Sequence, residues 1–226
     1  MSKSGGFARG SHYYARRKPL RPPSGYSFLL VTEGEKTEPN YFVALRNKLR
    51  LTSVDVEIVH PEGTDPITLT EHAIELREMR RIAARKGEYI PYDETWVIFD
   101  LEERGDIRRA QAERARQLKG AEGIRFSRSD PAFEYWLILH FEYTTAPLAN
   151  ADEAVRRLRR SWVDYDKCCT PRDELFSRTA FAADNARRCR EYHLSAGGDG
   201  NPATEIDLVI HNLNEATRPH YRLLIE

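Results

Sequence analysis

Phe28-Leu29-Leu30-Val31 and Trp96-Val97-Ile98-Phe99 are apolar at every position. Runs of that length without polar alternation suit strands covered on both faces, the situation of a parallel sheet sandwiched by helices. Each run then stops on acids, Glu33 and Glu35 after the first and Asp100, Glu102 and Glu103 after the second. In open α/β sheets ligands bind in the crevice beyond the carboxyl ends of the strands. If the two strands are neighbours, Glu33, Asp100 and Glu102 converge there.

The remaining pattern fits the same class. After a strand over 27–32, Glu38-Pro39 starts a helix with Tyr41, Phe42, Leu45 and Leu49 at helical spacing. Residues 54–59 alternate as a second strand. Asp65-Pro66 opens a second helix, whose inward set is read as Ile67, Thr70, Ile74, Leu76, Met79 and Ile82, with Gly87 as its stop. A third strand over 95–99, a helix from about 107 to 118 and a short fourth strand over 124–127 complete the alternation. Strand and helix in turn imply parallel pairings through crossovers. The fold expected is α/β, a small parallel sheet flanked by helices over residues 25–130.

Residues 131–226 read as a helical extension packed on that sheet. Phe133 to Phe141 is apolar nearly all round, with Asp130-Pro131 expected to cap it. Residues 153–160 and 178–192 are amphipathic and basic on one side, and a last helix spans about 204–214. Residues 1–24, rich in Gly, Ser, Pro, Arg and Tyr, are expected to form a flexible basic arm. Residues 1–32 hold six basic residues and no acid in a chain of zero formal net charge, so a basic end precedes an acidic site. Cys168, Cys169 and Cys189 have no metal-type spacing. No apolar stretch approaches the roughly 20 residues that span a bilayer, and the expectation is a cytoplasmic protein without a membrane partner.

The acids at the strand ends are hard oxygen donors of the kind magnesium takes, usually one or two carboxylates with water and substrate phosphates completing an octahedron. Asp100 and Glu102 project to one side if the chain stays extended, with Leu101 in the core, and Glu33 supplies the facing carboxylate. The alternative is that these acids solvate turns. Gly34 lets the backbone turn closely, and Lys36 is placed to meet a phosphate oxygen as a point charge. No glycine precedes that lysine at Walker-loop spacing, which argues against a nucleoside-triphosphate cradle.

Val31 to Phe42, Phe99-Asp100-Leu101-Glu102, Ser129 to Phe141 and Asn201-Pro202-Ala203-Thr204 resemble the signature segments of RloB-like proteins from about residue 26 to the C-terminus. The resemblance implies a Toprim-like fold and an Mg²⁺- or Mn²⁺-dependent nuclease in antiphage abortive-infection defence. It implies a partner ATPase of the AAA or ABC type. It makes Glu33 the general acid/base or first metal ligand, Asp100 and Glu102 the acidic pair, and Glu35 and Lys36 flanking groups. Glu102 stands where Asp is commoner, which lengthens one ligand by a methylene. RNA, tRNA included, and DNA are both open as substrates, as is a homo-oligomer. The competing class is a non-catalytic subunit that docks an ATPase or nucleic acid; primer synthesis on the same site ranks last.

Glu134 and His140, six apart on one helix, point to different sides, which argues against a shared metal without a ligand from elsewhere. Each is read first as a buried, hydrogen-bonded group, with the resemblance offering a substrate-facing role. The Arg156-Arg157, Arg159-Arg160 and Arg187-Arg188-Arg190 groups are phosphate contacts or solvated helix faces. Arg16, Arg17 and Lys18 beside Tyr13 and Tyr14 are the better nucleic-acid candidates, since aromatics stack on unpaired bases.

Overall fold

The computed structural model describes residues 25–49, 55–102, 105–197, 200–217 and 223. The arm over 1–24, with Arg16, Arg17 and Lys18, and Glu103 lie outside the described residues. The elements run β1 (Ser27–Thr32), α1 (Thr37–Lys48), β2 (Asp55–Val59), α2 (Pro66–Arg85), β3 (Glu94–Asp100), α3 (Gly105–Arg116), β4 (Ile124–Asp130), α4 (Glu134–Leu139), α5 (Ala151–Leu158), α6 (Asp173–Phe176), α7 (Thr179–Ser195), β5 (Ala203–Thr204) and α8 (Ile206–Glu215). The sheet order is β2-β1-β3-β4-β5. The first four strands are parallel, and β5 joins β4 antiparallel. The architecture is the expected α/β one, a Toprim-like sheet flanked by helices with a helical C-terminal part.

β1 and β3 are adjacent, with Thr32 opposite Ile98 and the Glu33 amide donating to the Ile98 carbonyl at 2.9 Å. Side chains alternate between two cores. Phe28, Leu30, Trp96 and Ile98 face α1 and the C-terminal helices, while Leu29, Val31, Val97 and Phe99 face α2 and α3. Because β2 lies to one side of β1 and β3 to the other, with α1 and α2 on opposite faces, the strand order reverses between β1 and β3. The crevice beyond their carboxyl ends is the place where this class of sheet binds ligands.

Several local expectations need correction. In α2 the inner face is Leu69, Thr70, Ala73, Leu76 and Arg80; Met79 is 50% and Ile82 44% exposed. Arg80 turns inward because carboxylates wait for it on the edge strand, Asp55 in a close ion pair and Glu57 at 3.8 Å. That rolls Met79 and Ile82 toward solvent. Asp130 ends β4 and does not cap α4. Its carboxylate accepts from Arg109 at 3.0 Å and Asn201 at 2.7 Å, and the free amide of Phe133 donates to Asp100 instead, at 3.1 Å. The strand after Phe99 ends at Asp100, and Glu102 takes a positive φ of 50°, a region non-glycine residues seldom occupy. The extended course assumed for 100–102 therefore stops short of Glu102, although Leu101 is buried as expected.

Among the described residues no helix is long and apolar enough to cross a membrane. Cys168, Cys169 and Cys189 are free thiols.

Candidate functional site

The turn from β1 into α1 is built by two residues. Gly34 donates its amide to the Glu38 carboxylate at 3.0 Å, and it has no side chain because there is no room for one: a Cβ there would stand 1.9 Å from Glu38 Oε2. The contact folds Glu38, in the first turn of α1, back over the strand end, where it is buried. Gly34→Ala is expected to expel the Glu38 carboxylate from this place and lower stability by about 1–3 kcal/mol. Urea unfolding checks this, and an unchanged midpoint would mean that the turn has slack the contact denies.

Four carboxylates meet at the carboxyl ends of β1 and β3. Glu33 accepts from the Asp100 amide at 2.9 Å and from Arg108 at 2.8 Å. Asp100 lies within electrostatic reach of Glu38, Glu33 and Glu134. Glu134, buried at the start of α4, accepts from the Tyr165 hydroxyl at 2.9 Å. Burial pushes all of Glu33, Glu38 and Asp100 up from the ordinary carboxylate range, and the neighbouring acids add to it. For Glu33, the Asp100 amide and Arg108 pull the other way. Glu38 is raised to about 7, and Asp100 is held well above its usual value despite the Phe133 amide.

Glu102 is 49% exposed and connects to this group through Arg108, whose second nitrogen is 3.5 Å from Glu102 Oε2. Glu35 is exposed and lies 3.7 Å from His60. Lys36 meets the thiol of Cys168, on a loop from the helical part that also lies over the start of α1: Asn40 donates to the Cys168 carbonyl at 3.1 Å and Thr37 to the Lys167 carbonyl at 3.4 Å. The same loop carries Tyr165 to Glu134. His140 belongs to the core. It packs edge-on against Trp136, its Nδ1 meets the Trp136 carbonyl at 3.0 Å, and burial drives its pKa down to about 4, so it is neutral with the proton on Nδ1.

Glu33, Asp100 and Glu134 thus come together and Glu102 stands at the rim, while Lys36, Glu35 and His140 are engaged elsewhere. Glu38, Arg108 and Tyr165 are added. Glu38 had a signal in Gly34, four residues before it, but an acid in a first helical turn reads as a helix-dipole partner. Arg108 and Tyr165 had none. The basic groups of the helical part are largely consumed internally: Arg157 by Glu142, Arg159 by the Tyr165 carbonyl, Arg187 and Arg188 by Asp184, and Arg190 by both oxygens of Asp207.

Crowded carboxylates raised by burial and by their neighbours' charge fit a hard divalent cation in donor chemistry and in their position on the sheet. As the side chains stand, no group of three His, Cys, Asp or Glu among the described residues is spaced to hold one; the guanidinium of Arg108 separates Glu33 from Glu102.

A family model described as RloB-like protein matches residues 28–213. No curated protein and no solved structure matches the chain.

Proposed function

The chain belongs to the RloB-like protein family, and from that membership and the carboxylate cluster we propose a Toprim-type endonuclease, dependent on Mg²⁺ or Mn²⁺, that cuts RNA or DNA as the effector of an antiphage abortive-infection system. The observation that supports this most is the convergence of Glu33, Glu38, Asp100 and Glu134 at the strand-order reversal, with Glu33, Glu38 and Asp100 raised by burial and then by neighbouring acids. So many buried acids cost stability unless a site uses them.

In this reading Glu33, Asp100 and Glu102 hold the ion. A divalent cation there supplies charge neutralisation at the phosphodiester and at the leaving oxygen. The chain's own part is orientation. The Asp100 amide fixes Glu33, the Phe133 amide fixes Asp100, and the Tyr165 hydroxyl fixes Glu134. Lys36, exposed at the start of α1, and Arg16, Arg17 and Lys18 of the arm serve as phosphate contacts. A partner ATPase of the AAA or ABC class restrains the activity.

One observation favours the second reading, a subunit that docks an ATPase or nucleic acid without cutting: Arg108 already supplies a positive charge to Glu33 and Glu102. Incubation with total tRNA and with supercoiled plasmid, with Mg²⁺, Mn²⁺ or chelator, separates the two. The nuclease reading expects metal-dependent cleavage that falls at least about a hundredfold in Glu33→Gln. Cleavage absent throughout, even with the ATPase present, supports the docking subunit.

A further inference from the structure

Arg108 is an unusual residue to find where it is. It lies in the N-terminal part of α3, where the helix dipole favours acids and disfavours cations. Its side chain is nevertheless 11% exposed and faces the carboxyl end of the sheet. One guanidinium nitrogen is 2.8 Å from Glu33 Oε2 and 3.2 Å from the Thr64 carbonyl, and the other is 3.5 Å from Glu102 Oε2. A single side chain therefore ties together the end of β1, the loop before α2 and the left-handed residue after β3.

Resting on the metal reading of Glu33, Asp100 and Glu102, we propose that Arg108 is a built-in rival of the divalent cation, seated between two of its ligands and displaced when the ion binds. The planar fork is suited to bridging two carboxylates. While it does so, Glu33 Oε2 and Glu102 Oε2 each spend an oxygen on nitrogen, and their side chains are held on either side of the guanidinium. The grip is unequal. Glu33 is 12% exposed and its pair with Arg108 is largely desolvated, whereas Glu102 is 49% exposed and its contact is long. The Glu102 half opens first, and the exposed side is the one from which an ion arrives. A single guanidinium charge also answers only part of the charge on the neighbouring acids, so a doubly charged ion gains more from the same place.

The opposite role for Arg108 predicts the opposite sign. An arginine that merely positions Glu33 and Glu102 for the metal would, on removal, loosen them and weaken binding. A rival, on removal, leaves binding tighter. The test is direct titration of the full chain with Mn²⁺ alone, without nucleic acid, following free Mn²⁺ by electron paramagnetic resonance. Wild type, Arg108→Met, Arg108→Lys and the Arg108→Met/Glu33→Gln double variant are compared, with thermal melting to confirm that each is folded. Arg108→Met is expected to bind Mn²⁺ at least about tenfold tighter than wild type, the change that follows from removing one charge-assisted contact. Arg108→Lys, which keeps the charge but cannot bridge two carboxylates, falls between, and the double variant loses the gain. Equal or weaker binding by Arg108→Met overturns the rivalry while leaving the metal site intact. Absence of any Glu33-dependent Mn²⁺ binding, in wild type and Arg108 variants alike, removes the metal site and the rivalry with it.

Discussion

Raising the pH from about 4.5 to about 7 is expected to destabilise the protein, and Glu38→Gln is expected to remove a large part of that loss. Glu38 is lifted from 4.5 to about 7 by burial, with Glu134 and Glu33 adding to it. A carboxyl raised in the folded state keeps a proton that the unfolded chain gives up. Its stabilising contribution is complete below the unfolded value and disappears as pH climbs through the folded one. At about 1.4 kcal/mol per pH unit the whole span is worth at most about 3.5 kcal/mol. Asp100, also raised, adds to the slope in the same direction. Glutamine keeps an oxygen to accept from the Gly34 amide while carrying no charge. Urea unfolding at pH 5, 6, 7 and 8 reads the effect. A wild-type profile that is flat or rises with pH would show that the acids at the strand ends are not crowded as described.

Trp136→Ala is expected to cost about 3–5 kcal/mol, a large fraction of the roughly 5–15 kcal/mol that holds a domain folded. Trp136 is completely buried where α4 meets α1, its ring 4.8 Å from that of His140 and 6.4 Å from that of Tyr41, both edge-on. Its indole faces the Tyr41 hydroxyl, and most of the loss comes from packing and from the cavity left behind. The same apolar cluster includes Phe28, Leu30 and Ile98 of the sheet and Ala182, Ala186 and Val209 of the last helices. Opening it separates the face of the sheet from α4, which carries Glu134, and from the loop that carries Tyr165. Equilibrium unfolding measures the cost, and a loss below about 1 kcal/mol would mean the layer repacks around the gap.

The central sheet was legible because β1 and β3 are covered on both sides and leave no alternation to misread. The position of the site followed from the same two strands, since acids immediately after them had to lie at their carboxyl ends. β5 was not legible. Two residues carry no period, and they become a strand only because β4 lies alongside, with Thr204 and Ser129 hydroxyls 3.1 Å apart. The face of α2 was misassigned because apolarity was weighed without the carboxylates of Asp55 and Glu57, which bury an arginine and expose a methionine and an isoleucine. Within the site, Glu33 and Asp100 were found by their place after strands. Glu134 entered through the resemblance, whereas Glu38, Tyr165 and Arg108 come from three different segments of the chain and reach the site only through tertiary contact.

The central claim is that the acids at the ends of β1 and β3 form a metal-dependent phosphodiester-cleaving centre. It is tested most directly by incubating the purified protein with total tRNA and with supercoiled plasmid in Mg²⁺, Mn²⁺ or EDTA, wild type against Glu33→Gln. The account predicts cleavage of one of the two substrates that requires the metal and is lost in Glu33→Gln, with the variant melting as wild type does. Cleavage that persists in EDTA or in a folded Glu33→Gln protein would contradict it.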